Sequence, residues 1–325
     1  MNTSAVPVPA ISLRNLPINL FASVMGISGL ALAWRFAAHQ FHTSLWISHG
    51  IGITALIVFV LLTFLYLGKI LKHPEAVKNE FNHPIAGNFF GTFNISLLLL
   101  SAVISPFSLS ASETVWTIGS LGALSLAFIS IGRLLKGQVD SGQALAVWLI
   151  PGVATLDITA TGAAMPMAWA RELNLFALAV GAIVGAVFFT LILARLIHHP
   201  EKLPAGMIPS LMILVGPFAV GFLAYTNFTQ QSDGFAALLF YFGLFLFLIL
   251  APKVFRPGIP FASSWWAVGF PLAALAMAAL KYAAALQLWP LTWMAVALLA
   301  FLSAVIGVLF FRTLRIIVNG SLLRA

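Results

Sequence analysis

The sequence predicts an all-α integral membrane protein of ten transmembrane helices, built as five helical hairpins that cross the bilayer in the same sense. Composition is the first observation. Of 325 residues, 61% are hydrophobic and 7% charged, where a soluble domain carries about a quarter charged residues. Mean hydropathy is the second, at +1.05. The third is a repeat: long apolar runs end in the basic pairs Lys69/Lys72, Arg133/Lys136, Arg195/His198, Lys253/Arg256 and Arg312/Arg315. Successive pairs lie roughly sixty residues apart, about two spans with their loops. Lipid is therefore the solvent for most of the chain.

In chain order, spans are expected at residues 17–38, 45–67, 85–105, 115–135, 144–164, 175–196, 207–225, 234–250, 259–285 and 291–317. Each comes near the ~20 residues that cross a ~30 Å hydrocarbon core. The hairpin repeats then cover approximately 14–78, 79–140, 141–203, 204–257 and 258–325, within one transmembrane domain, 1–325. The first apolar run, after Arg14, is long enough to span and is expected to be retained, not cleaved as a signal peptide. The longest polar linker, 69–83, leaves no room for a soluble domain.

Charge sets the orientation. Loops after even spans hold the basic pairs with Lys78 and Lys202; Arg14 precedes the first span and Arg324 follows the last. Loops after odd spans hold only Arg35, Arg171 and Lys281. The positive-inside rule then places both termini in the cytoplasm. Trp34, Trp46, Trp116, Trp169, Trp289 and Trp293 fall at the opposite ends, like an outer aromatic belt.

Odd and even spans differ. The odd ones carry small polar groups and proline: Asn19 and Ser23; Asn88, Thr92 and Asn94; Pro151, Thr155 and Thr159; Ser210 and Pro217; Ser263, Ser264 and Pro271. The even ones are greasier. Polar groups and broken backbone are tolerated at depth only against protein or a watery cavity. An inner ring of odd helices lining a central pore, with an outer ring of even helices facing lipid, follows. An ordinary packed bundle with proline kinks is the plainer alternative.

Several chemistries are absent. There are no cysteines, hence no disulfide, thiolate metal site or cysteine nucleophile. The net charge of +8 sits at span ends, so nucleic acid is not an expected partner. His39/His42 and His198/His199 lack further ligands for a metal. No phosphate-binding glycine loop and no arginine ladder occur. Gly87/Gly91 and Gly181/Gly185 have helix-packing spacing. An enzyme, a metal or a cofactor is thus not expected.

Asp157 is the one acidic residue well inside a span. It is a candidate coupling acid, set against a structural acid, protonated or hydrogen-bonded between helices. Basic residues at one mouth, namely Lys69, Lys72, Arg133, Lys136, Arg195, Lys253, Arg256, Arg312 and Arg315, would enrich anions there, although topology alone accounts for them. In span nine, Phe270 lies about eleven residues from the cytoplasmic end, or about 16 Å deep, next to Pro271, which is expected to bend the helix. A large aromatic at such a place can close a lumen by excluding water. On the residues alone, packing between helices is the simpler account of Phe270.

Five segments carry a resemblance: Leu-Pro-Ile-Asn-Leu-Phe at 16–21, Glu-Phe-Asn-His-Pro at 80–84, Ile-Pro-Gly-Val-Ala at 150–154, Gly-Pro-Phe-Ala-Val at 216–220 and Trp-Trp-Ala-Val-Gly-Phe-Pro at 265–271. Through them the chain resembles the tellurite-resistance/dicarboxylate transporter family, which includes bacterial TehA and the plant slow-type anion channels. The resemblance implies a quasi-five-fold barrel with a pore in every protomer of a homotrimer. It implies an anion conduit of the bacterial inner membrane, with Phe270 as gate and Pro271 as its hinge. Candidates to line the pore are Phe21, Asn88, Thr92, Pro151, Thr155, Pro217 and Ser264. The expected partners are small inorganic or organic anions. The expected function is a passive anion channel; the alternative is a secondary transporter or exporter of C4-dicarboxylates or oxyanions such as tellurite or sulfite, and a membrane scaffold without transport is a remote third.

Reporter domains fused to either terminus are expected to be active only in the cytoplasm. A periplasmic signal from either fusion would overturn the charge-derived orientation.

Overall fold

The computed structural model describes residues 12–137 and 140–323; Arg324 lies outside them. The described α-helices run in order α1 (Phe21–Gln40), α2 (Trp46–Lys72), α3 (Pro74–Asn82), α4 (Phe90–Ile104), α5 (Leu109–Leu135), α6 (Leu149–Gly162), α7 (Ala170–His198), α8 (Gly216–Thr229), α9 (Gly234–Val254), α10 (Gly269–Leu286) and α11 (Trp289–Val318). Ten of them are membrane helices and form the ten expected spans. The exception, α3, occupies the linker expected to be loop. Pro74 at its first position starts it directly after α2, where a missing N–H costs nothing.

Each odd span begins as a 3₁₀ segment before becoming α-helical. The segments are Ile18–Leu20, Ala86–Phe89, Ala146–Trp148, Ala205–Val215 and Ser263–Val268. Such turns rise about 2.0 Å per residue against about 1.5 Å in an α-helix, so they stretch the span. This is why the short apolar helix Ala146–Gly162 still covers about 27 Å. Pro151, Pro217 and Pro271 fall within the first three residues of α6, α8 and α10. There the proline offers no N–H to the carbonyls of the preceding 3₁₀ turn. At Pro271, where a bend is expected, the helix changes type from 3₁₀ to α.

The inner helices pack in the cyclic order α1, α4, α6, α8, α10 and back to α1. Each outer helix packs on its own hairpin partner and touches the next inner helix: α2 on α4, α5 on α6, α7 on α8, α9 on α10, and α11 on α1. Burial separates the rings. Four inner spans have 61–89% of their most apolar stretch buried, against 17–33% for the outer spans. Large apolar side chains such as Phe64, Phe128, Ile183, Phe245 and Phe311 stand exposed on the outer helices, as a lipid-facing surface requires.

The ring closes between its first and last members through glycine. A Cβ on Gly26 would lie 3.4 Å from the Gly269 Cα, and one on Gly29 would lie 2.6 Å from the Ala273 Cβ. Backbones this close are the usual product of small residues in membrane helix pairs. Among the belt tryptophans, Trp46, Trp169, Trp289 and Trp293 are exposed. Trp116 is not: it is fully buried, donates to the Ile158 carbonyl at 3.1 Å and fits over Gly162.

Gly29→Ala is expected to cost roughly 1–3 kcal/mol through overpacking, seen as a lower unfolding temperature of the detergent-purified protein. Gly50, on α2, has nothing within 4 Å of its would-be Cβ, so Gly50→Ala should be neutral or stabilising by up to about 1 kcal/mol.

Candidate functional site

One small cavity lies where all five inner helices meet. Its walls are Ala22 and Met25 on α1, Thr92 and Ile95 on α4, Ile150 and Val153 on α6, Ile213 and Gly216 at the head of α8, and Trp266, Ala267, Phe270 and Pro271 at the head of α10, with Phe89. Its volume is about 30 Å³, room for no more than about two waters. Phe270 is 3% exposed. Apolar walls this narrow shed water and resist ions.

The head of α10 is fixed from several sides. Trp266 donates to the Thr313 Oγ1 of α11 at 2.8 Å, and its ring lies against Gly26. Trp265 donates to the Pro260 carbonyl at 2.9 Å, and Ser264 to the Gly206 carbonyl at 2.8 Å. The Trp-Trp segment thus anchors the 3₁₀ turn that presents Phe270.

Of the residues expected around the lumen, Thr92, Phe270 and Pro271 meet at this cavity, and the others do not. Phe21 turns sideways into an aromatic cluster with Phe59, Tyr66 and Phe93, beside a cavity of about 350 Å³ between the first two hairpins. Pro217 borders a lateral cavity of about 280 Å³ among α6, α7, α8 and α9. Pro151 is buried in the first turn of α6, next to Ile150, which does face the cavity. Asn88 donates to the Pro84 carbonyl, and Ser264 is bound to Gly206. Thr155 donates to the Gly152 carbonyl and abuts Gly181 of α7. The common cause is that a hydroxyl or amide in a membrane helix finds a backbone carbonyl first. Ser23, Thr92, Ser96 and Thr159 do the same, with carbonyls of Leu20, Phe89, Thr92 and Asn174.

Sequence reasoning missed Ala22, Met25, Ile95, Ile150, Val153, Ile213 and Gly216. They are apolar or small residues of the inner spans, and nothing in their composition separates them from residues packed between helices.

Asp157 sits on α6, 2% exposed, and its Oδ2 has no hydrogen-bond partner among the described residues. It lies four residues beyond Val153, about 6 Å farther along α6. This oxygen makes no hydrogen bond between helices; a protonated structural acid and a coupling acid both fit it.

The basic residues are put to an unexpected use. Arg133 on α5 donates to the Phe81 carbonyl at 2.9 Å and covers the Phe81 ring, just ahead of α4. Arg195 on α7 donates to the Gly142 carbonyl at 3.1 Å, ahead of α6. Arg312 on α11 lies over the Phe261 ring, ahead of α10. Lys69 on α2 donates to the Leu16 carbonyl at 2.8 Å, ahead of α1, and pairs with Glu80 at 2.6 Å. In four hairpins, therefore, a cation on the outer helix clamps the lead-in of its own inner helix. Glu80 of α3 also accepts from the Ile18 N–H at 2.8 Å and the Tyr66 hydroxyl at 3.0 Å. Lys72, Lys136, Lys253, Arg256 and Arg315 remain exposed at the same end.

Residues 15–314 match the SLAC1 family, described as voltage-dependent anion channel. The chain belongs to the SLAC1 family. It is 28% identical to the S-type anion channel SLAH3 of Arabidopsis thaliana, covering 93% of this chain and 48% of the relative. It is 27% identical to the guard cell S-type anion channel SLAC1 of the same plant, covering 93% of this chain and 56% of the relative. The tellurite resistance protein TehA homolog of Haemophilus influenzae is 24% identical, covering 82% of this chain and 81% of the relative. The chain spans about half the length of the plant relatives it matches.

Glu80→Ala leaves the Lys69 ammonium buried without a counter-charge and frees the Ile18 N–H, so it is expected to cost roughly 3–5 kcal/mol. The double variant Lys69→Met/Glu80→Leu should recover most of that in the same thermal unfolding assay, because a buried pair replaced by apolar groups is nearly neutral.

Proposed function

We propose that this protein is a passive anion channel of a bacterial inner membrane, with a pore through each protomer of a homotrimer and both termini in the cytoplasm. Phe270 is the gate and Pro271 the point about which its turn adjusts. The observation that carries the proposal is the placement of the Phe270 ring at a cavity that borders all five inner helices. The naming of plant relatives as S-type anion channels supplies the cargo class. The exposed cations at the 3₁₀ end concentrate anions at that mouth. With the ring in place, the passage is too narrow and apolar to hold a hydrated ion. Moving or removing the ring joins the two half-lumens.

A second reading has one observation in its favour. A buried carboxylate oxygen without a partner, Asp157 Oδ2, suits proton-coupled transport of dicarboxylates or oxyanions. That reading requires saturable, pH-driven uptake that Asp157→Asn abolishes.

Phe270→Ala is expected to raise anion conductance about tenfold or more, since each ~1.4 kcal/mol taken from a barrier is a factor of ten. Planar-bilayer or oocyte recordings with chloride and nitrate check it. Unchanged current from a well-folded Phe270→Ala protein defeats the gate.

A further inference from the structure

We propose that Lys281, held by Asn227, forms an anion-binding site in the lumen beyond Phe270, at the opposite end from the basic pairs. The proposal rests on the channel reading and adds to it a point where anions are recruited from the outer side.

Helix geometry places the residue. Lys281 follows Phe270 by eleven positions on α10. At about 100° per residue it points within about 20° of Phe270's direction, about 16 Å farther along the axis. Asn227 follows Gly216 by eleven positions on α8, and so stands in the same relation to a second cavity-lining residue. The two counts agree with the contact found: the Lys281 ammonium donates to the Asn227 Oδ1. Asn227 in turn donates through Nδ2 to the Ala160 carbonyl of α6 at 2.6 Å. Three inner helices are therefore joined at one level, around a lysine that faces the axis and not the lipid. Lipid-facing snorkelling, the ordinary use of a lysine near a helix end, does not describe it.

The ammonium is half-buried, and no carboxylate lies within ion-pair distance of it; the ion pair among the described residues is Lys69 with Glu80. One of three N–H donors is used by Asn227, which leaves two for a ligand. Two other charged groups lie on inner helices beyond the Phe270 level. Arg35 on α1 spends its terminal nitrogens on the Ala102 and Val103 carbonyls at 2.7 and 2.9 Å, where it closes the C-terminal end of α4. Asp157 lies between Phe270 and Lys281 along the axis. In its ionised form it opposes anions, and the field of Lys281 offsets that charge in the same stretch of lumen. The ligand class is a small inorganic anion such as chloride or nitrate.

The chain has no cysteine, which permits a clean test in the Phe270→Ala background. Chloride current is measured against external and internal chloride in turn. Lys281→Gln should raise the half-saturating external chloride about fivefold, the effect of removing one unit charge at contact in water-like surroundings. Internal chloride dependence should be unchanged, and Lys281→Arg should retain the parent behaviour. In Lys281→Cys, a cationic methanethiosulfonate applied outside should restore external affinity, while the anionic reagent should lower it further. External saturation indifferent to Lys281→Gln, or equal effects of the two reagents, overturns the site while leaving the channel intact. A Phe270→Ala protein that passes no chloride at all refutes the channel reading itself, a visibly different result.

Discussion

Within a bilayer no water stands by to satisfy a polar group, and that constraint organises this protein. The hydroxyls and amides of the inner helices turn to backbone carbonyls, as Ser23, Thr92, Ser96, Thr155 and Thr159 do. What remains to face the axis at mid-depth is apolar. The narrow point of the ring is thus walled by Met25, Ile95, Ile150, Val153, Ile213 and Phe270. A constriction of this kind needs no charged gate, because dewetting alone closes it. The same constraint makes the exceptions informative: on the inner helices Ser28 Oγ, Arg35 Nε and Asp157 Oδ2 are buried without a partner among the described residues, and Lys281 is a half-buried cation whose partner is the Asn227 amide oxygen.

The second organising device lies at the charged end. A cation from the outer helix reaches back to the strand of chain that leads into its own inner helix. The pattern recurs with different chemistry: an ion pair and a carbonyl for Lys69, a carbonyl and a ring for Arg133, a carbonyl for Arg195, a ring for Arg312. These residues serve topology and packing together. Among the described residues Lys69 alone of the four pairs with a carboxylate; Arg133 and Arg312 are exposed, as are Lys72, Lys136, Lys253, Arg256 and Arg315, and all of these contribute to the field at this end.

Much of the fold was legible because its signals are periodic. Apolar runs, basic ends and the contrast between odd and even spans each repeat, and a repeat survives local error. Phe270 and Pro271 could be placed by depth from the span's start and by a resemblance resting on consecutive residues. The remaining wall of the cavity was not legible, for a physical reason. Polarity was taken as the mark of a lumen-facing residue, whereas Thr155 and Ser264 spend theirs on carbonyls of Gly152 and Gly206. Ile150 and Val153 face the axis but look in sequence like any lipid-buried pair. Without the phase of each helix, a wall and an interface have the same composition. Helix α3 was hidden by its polarity, and the buried Trp116 by its neighbours' position at a span end.

The contact of Gly26 and Gly29 with Gly269 and Ala273 has a bearing on biosynthesis. These residues join the earliest membrane helix to the next-to-last one, across more than two hundred positions of chain. While the ribosome is still making the intervening hairpins, the growing curl is open along one side. Under the proposed channel function, its bore acquires a wall and a stopper in the same event, when the segment bearing Phe270 docks on α1. On that proposal, a nascent chain arrested before that point has no sealed conduit to leak through, and the finished one is born shut.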